Sequence, residues 1–134
     1  MRVAGIVVTH GNLAEELLRT ARTVYGDFVD CHALSNSSKS PRAVESELAS
    51  LIESRGGDPC VIFVDFVGGS CSQACLKQLV ERPDPGNIHL ISGVNLPMLL
   101  AFLNKRGEVP FEELPRAILE RSLDSIRVLD PREM

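Results

Sequence analysis

The chain has 134 residues, 44 % of them hydrophobic and 24 % charged, with a formal net charge of −4. This is an ordinary globular balance and a length suited to one compact domain, expected to span residues 1–134. A mild, dispersed negative charge, no Trp and a single Tyr argue against a nucleic-acid partner. No stretch approaches the roughly 20 apolar residues that cross a bilayer, and the opening run is too short for a secretion signal, so a cytoplasmic protein without membrane insertion is expected. The four cysteines (Cys31, Cys60, Cys71, Cys75) are irregularly spaced, as reduced thiols are.

Val3–Val8 is a short β-branched run, suited to a strand buried on both faces. Asn12 precedes the helical stripe Leu13, Leu17, Leu18, Ala21 and Val24, and Glu15 completes the pattern of a capping box with it. Gly26-Asp27 ends that helix, and Phe28–Leu34 reads as a more polar strand near an edge. After the polar loop Asn36–Ser40, Pro41 opens a helix with Val44, Leu48, Leu51 and Ile52 on its apolar face, stopped at Gly56-Gly57. Cys60–Phe66 is the most apolar run and reads as the central strand. Gly68-Gly69-Ser70 then leads into a helix through about Val80, and residues 83–87 form a turn cluster. A strand over Ile88–Ser92, a helix from Pro97 to Leu103 and another from Pro110 to Leu123 follow. Ile126–Leu129 is expected as a last short strand at an edge.

Strands alternating with helices predict an α/β fold, a flavodoxin-like three-layer sandwich with a mainly parallel sheet of order 2-1-3-4. Such sheets bind ligands beyond the carboxyl ends of the strands, where the order reverses between the first and third. The first strand ends at Thr9-His10-Gly11 and the third at Asp65, followed by Gly68-Gly69-Ser70. A carboxylate on one imidazole nitrogen fixes the tautomer and leaves the other nitrogen as a nucleophile. A Gly-Gly-Ser helix start offers backbone amides and a hydroxyl to phosphate oxygens. Taken singly, each residue has an ordinary structural reading. Their expected convergence at one switch point is what suggests chemistry.

Three segments also resemble one family. Gly5-Ile6-Val7-Val8-Thr9-His10-Gly11, Asp65-Phe66-Val67-Gly68-Gly69-Ser70 and Gly93-Val94-Asn95-Leu96-Pro97-Met98-Leu99 are similar, in order, to segments of the mannose/fructose-family IIA component of the bacterial phosphoenolpyruvate-dependent sugar phosphotransferase system. The resemblance implies that His10 accepts a phosphoryl group from HPr and passes it to a IIB component. It implies that Asp65 holds the imidazole, and that Ser70, with Gly68, Gly69 and Thr9, lies near the phosphate. It also implies a homodimer that can exchange the last strand, Ile126–Leu129. Asn95, Leu96, Pro97 and Met98 are expected at a partner or dimer surface. Cys71 departs from the pattern, standing where the family's signature has Pro. No fused IIB domain, cofactor or metal is expected.

Two alternatives share these residues. One is a regulatory phosphohistidine module that modulates other proteins without a dedicated permease. The other is a Ser70, His10 and Asp65 hydrolase, which the sequence disfavours because Ser72 replaces the final Gly of Gly-x-Ser-x-Gly. Cys71 and Cys75, four apart, have helical spacing for a shared metal, but no paired motif completes a site and buried thiols are the simpler reading. His32 and His89 read as structural.

Overall fold

The computed structural model describes residues 2–83 and 85–133. Met1 and Met134 of the expected domain, and Asp84 of the expected turn cluster, lie outside them. Four strands, β1 (Ala4–Thr9), β2 (Cys31–Ser35), β3 (Cys60–Val64) and β4 (Ile88–Ser92), form a sheet of order β2-β1-β3-β4 with every pair parallel. Five helices connect and follow them: α1 (Leu13–Tyr25), α2 (Pro41–Glu53), α3 (Ser70–Glu81), α4 (Leu96–Lys105) and α5 (Leu114–Asp124). The flavodoxin-like order expected from the sequence is the one observed.

Alternation along the central strands sorts side chains into two cores. Val3 and Val7 of the first strand region and Val61 and Phe63 of β3 pack with α1, α4 and α5, around Leu18, Phe102, Leu114 and Ile118. Ala4, Ile6, Val8, Ile62 and Val64 face the opposite way, onto α2 and α3 through Val44, Leu48, Ile52, Cys71 and Cys75. Every residue of β1 and β3 is buried, which is why these runs read as unbroken apolar stretches rather than as alternating ones. Each fully buried Ile, Leu or Phe contributes about 1.5–3 kcal/mol of transfer free energy.

Several local expectations change. Asn12 makes no side-chain cap; the Thr9 hydroxyl instead accepts from the Ala14 amide at 2.8 Å. β2 begins at Cys31, not Phe28, because Asp30 adopts a left-handed φ of 63° and Phe28 turns onto the α1/α4 core. β3 stops at Val64, where Asp65 starts a turn. The edge strand expected over Ile126–Leu129 does not form in the single chain. Those residues have no regular structure, and Ile126, Val128 and Leu129 are exposed. A lone segment has no neighbour there to satisfy a ladder of backbone hydrogen bonds.

Candidate functional site at the carboxyl ends of β1 and β3

Within the β1–β3 pair, Val8 is level with Val64. The two strands therefore leave the sheet together, and the residues that follow, His10 and Asp65, come side by side at the point where the strand order reverses. Asp65 Oδ2 accepts from the His10 backbone amide at 2.9 Å and lies 2.8 Å from the ring Nδ1. Its other oxygen accepts from the Phe66 amide at 3.0 Å. Burial pushes the Asp65 carboxyl up, but the hydrogen bonds from the His10 amide, the His10 ring and the Phe66 amide outweigh it. Its pKa lies below the ordinary carboxylate value. An ionised carboxylate can only accept, so the ring proton sits on Nδ1 and the lone pair on Nε2.

That Nε2 edge faces Ser70, whose hydroxyl oxygen lies 3.5 Å away at the start of α3. The His10 side chain keeps 37 % of its surface exposed, against 11 % for Asp65. One face of the imidazole is covered by Phe66, with ring centroids 5.1 Å apart and planes 24° from parallel. Gly69 makes this packing possible: a Cβ there would lie 2.8 Å from Phe66 Cζ and 3.0 Å from His10 Cε1.

The loop into α3 is pinned by Ser72, which accepts from the Gly68 amide at 3.0 Å and donates to the Gly69 carbonyl at 2.9 Å. Gly68 takes a φ of 94° to make this turn. Its amide, expected near a phosphate, is engaged within the loop by Ser72. Thr9 also differs from expectation. It is fully buried and turned toward α1, away from the crevice. The His10-Gly11 turn is braced from the side by residues not singled out in the sequence. Asn36 accepts from the Gly11 amide at 3.2 Å, and the Ser35 hydroxyl donates to the Gly11 carbonyl at 2.6 Å. The signal for them was the polar loop that follows β2, since β2 is the other neighbour of β1.

In the segment after β4, expected at a partner or dimer surface, Asn95, Leu96 and Pro97 are half-buried and Met98 is buried. Asn95 caps α4, accepting from the Met98 amide at 2.9 Å, and Met98 is 3 % exposed in the core. Leu96 is half-buried against the same core. Pro97 stands in the first turn and is also half-buried. Met98 thus belongs to the core of the single chain.

His89, Cys60 and Cys75 have structural settings. His89 Nε2 lies 2.9 Å from the Phe111 carbonyl, and its ring stacks on Phe111. Cys60 and Cys75 are buried thiols pushed up to about 11 and about 12, chiefly by desolvation. Among the described residues, no helix is long and apolar enough to cross a membrane.

The sequence profile of the family described as EIIA-man, PTS system fructose IIA component, matches residues 5–119. The mannose-specific EIIAB component of Escherichia coli (strain K12) is 30 % identical over 135 residues, covering 96 % of this chain. The chain spans 40 % of the length of that relative. Among solved structures, phosphotransferase system component EIIA from Streptococcus agalactiae superposes with a TM-score of 0.87 at 21 % identity, covering 98 % of this chain and 99 % of that one. The mannose/sorbose-specific IIA subunit from Enterococcus faecalis gives 0.82 at 19 % identity, covering 97 % and 96 %. These two likenesses speak to the fold.

Proposed function

We propose, from the premise that this chain belongs to the EIIA-man family of phosphotransferase-system IIA components, that it is a phosphoryl carrier working through His10. The observation that carries this reading is the pairing of His10 Nδ1 with Asp65 at 2.8 Å, which leaves Nε2 open beside Ser70. The Nε2 lone pair attacks the phosphorus of phospho-HPr, and a new N–P bond forms as the donor's bond to phosphorus breaks. The Nδ1 proton stays in place, and the ring's positive charge is balanced by Asp65. Ser70 and the amides at the start of α3 receive the phosphoryl oxygens. Transfer to a IIB component reverses the step and restores the neutral ring. On this reading the protein works in the cytoplasm, between protein partners, and serves sugar uptake without touching the sugar.

The homodimer belongs to the same reading. Leu123, Ile126, Val128 and Leu129 are exposed apolar residues at the end of the chain described, and β4 has an unpaired outer edge in the sheet. Residues 126–129 of one copy can supply the missing neighbour to another. Light scattering on the purified protein should report two chains per particle.

The central test is phosphotransfer from phosphoenolpyruvate through the general enzymes of the system, read by intact mass. One phosphoryl group should be added, acid-labile and base-stable as a phosphoramidate is, and none in His10→Ala. Phosphate accepted by His10→Ala would remove the basis of the reading.

A further inference from the structure

Cys71 takes no part in the relay, yet it stands in the same crevice. One donor atom from each of His10, Asp65 and Cys71 lies within 4.8 Å of the other two. In a tetrahedral zinc site, metal–ligand distances of about 2.0–2.3 Å separate neighbouring ligand atoms by roughly 3.2–3.8 Å. To place all three on one ion, the His10 Nδ1–Asp65 pair at 2.8 Å would open by roughly half an ångström and the widest separation would close by on the order of 1 Å; two of the side chains are only partly buried. The donor set is a thiol, an imidazole and a carboxylate, the combination that selects a borderline-soft divalent cation over magnesium or calcium. Cys71 is 1 % exposed and the His10 side chain 37 %, so an ion would enter from the His10 side.

We infer that His10, Asp65 and Cys71 form a binding site for a thiophilic divalent cation, best matched by Zn²⁺, whose occupancy switches off the phosphoryl acceptor. Binding requires the Cys71 thiol to give up its proton to solvent, since the thiolate is the ligand. Three protein ligands leave a fourth position for water. The inhibitory consequence follows whichever ring nitrogen is used. An ion on Nε2 occupies the nucleophilic lone pair. An ion on Nδ1 displaces the hydrogen bond to Asp65 and leaves the ring proton on Nε2, which then has no lone pair to give. Its consequence for phosphotransfer rests on the relay described above; the binding itself does not.

The test begins with metal-free protein titrated with Zn²⁺ in competition with a chromogenic chelator. One ion per chain and about one proton released near pH 7 are expected. Cys71→Ser and Cys71→Ala should each weaken binding by at least roughly tenfold, the loss that follows even when only a hydrogen-bond partner of a ligand is removed. Cys31→Ser, at the other end of the sheet, should bind as the parent does. The rate of phosphorylation is then compared with and without one equivalent of Zn²⁺ in each protein. That ratio should fall by more than about tenfold in the parent and stay near unity in Cys71→Ala. Equal zinc affinity in the parent and Cys71→Ala, or an unchanged rate in the parent at full occupancy, would overturn the inference. A metal-free protein that takes up no phosphate would overturn the relay instead, leaving the titration to decide the metal site.

Discussion

The two ends of the sheet use polar side chains in opposite ways. At the amino-terminal end, Arg106 donates to the carbonyls of Val3 at 3.0 Å and Val29 at 3.2 Å, and Arg2 pairs with Asp30 at 3.2 Å. A cavity of about 670 Å³ opens there, lined in part by Arg2, Tyr25, Phe28 and Arg106. At the carboxyl-terminal end one histidine is held by Asp65 with its other ring nitrogen beside Ser70. For the proposed relay, in which a group passes from protein to protein, an oriented, reachable atom matters more than an enclosing pocket. The arginine end spends its hydrogen bonds on tying strand entries together.

Asp65→Asn should produce the largest separation between the two ends. It should slow phosphorylation by about 10²-fold, because a neutral amide no longer dictates the tautomer or balances the ring charge, while the thermal midpoint near neutral pH drops only by the modest contribution of the ionised carboxylate's hydrogen bonds. The same variant has a pH signature. The folded-state pKa of Asp65 lies below its ordinary value, so its contribution to stability is present above that ordinary value, about 3.9, and is lost as pH falls through the folded pKa. The gap in thermal midpoint between the parent and Asp65→Asn should therefore close on acidification below about pH 4. A gap that widened instead would show that the carboxylate is not stabilised by the contacts described.

Gly69→Ala should have an intermediate effect. Its methyl group would push into Phe66 and the imidazole, and a ring displaced by this much should lose roughly tenfold in phosphorylation rate. Phe66→Leu removes the stacked cover but not the carboxylate. It should raise spontaneous loss of phosphate from the modified protein a few-fold, within about 1 kcal/mol of stacking free energy, measured as the decay of the phosphorylated mass. Arg106→Leu sharpens the comparison from the other side. Removing the bonds to Val3 and Val29 should destabilise the fold by about 1–3 kcal/mol in denaturant unfolding, with the phosphorylation rate unchanged. A slowed rate there would mean that the two ends are coupled.

Much of the fold was legible because its signals are one-dimensional. The apolar runs of β1 and β3, Pro41 at the start of α2 and the polar character of β2 all report burial or backbone geometry that a linear pattern carries. The convergence of His10 and Asp65 was legible because parallel topology brings strand ends to one level. Side-chain direction was not. Nothing in the string distinguishes Asn12 from Thr9 as the cap of α1, or turns Met98 inward while Asn95 faces its own helix. The stacking of Phe66 on His10 depends on the turn at Asp65, which also cut β3 short of the expected Phe66. The apolar pattern at Ile126–Leu129 reads as strand although the single chain gives it no neighbour.

The cover that Phe66 lays over one face of His10, together with Asp65 on Nδ1, has a kinetic consequence for the proposed relay. Only the Nε2 edge is open, so the donor and the acceptor proteins must use the same approach and cannot both be seated. Turnover is then obliged to alternate, each partner departing before the next arrives. Each should compete with the other when present in excess, and varying both should give the parallel reciprocal plots of a double-displacement sequence.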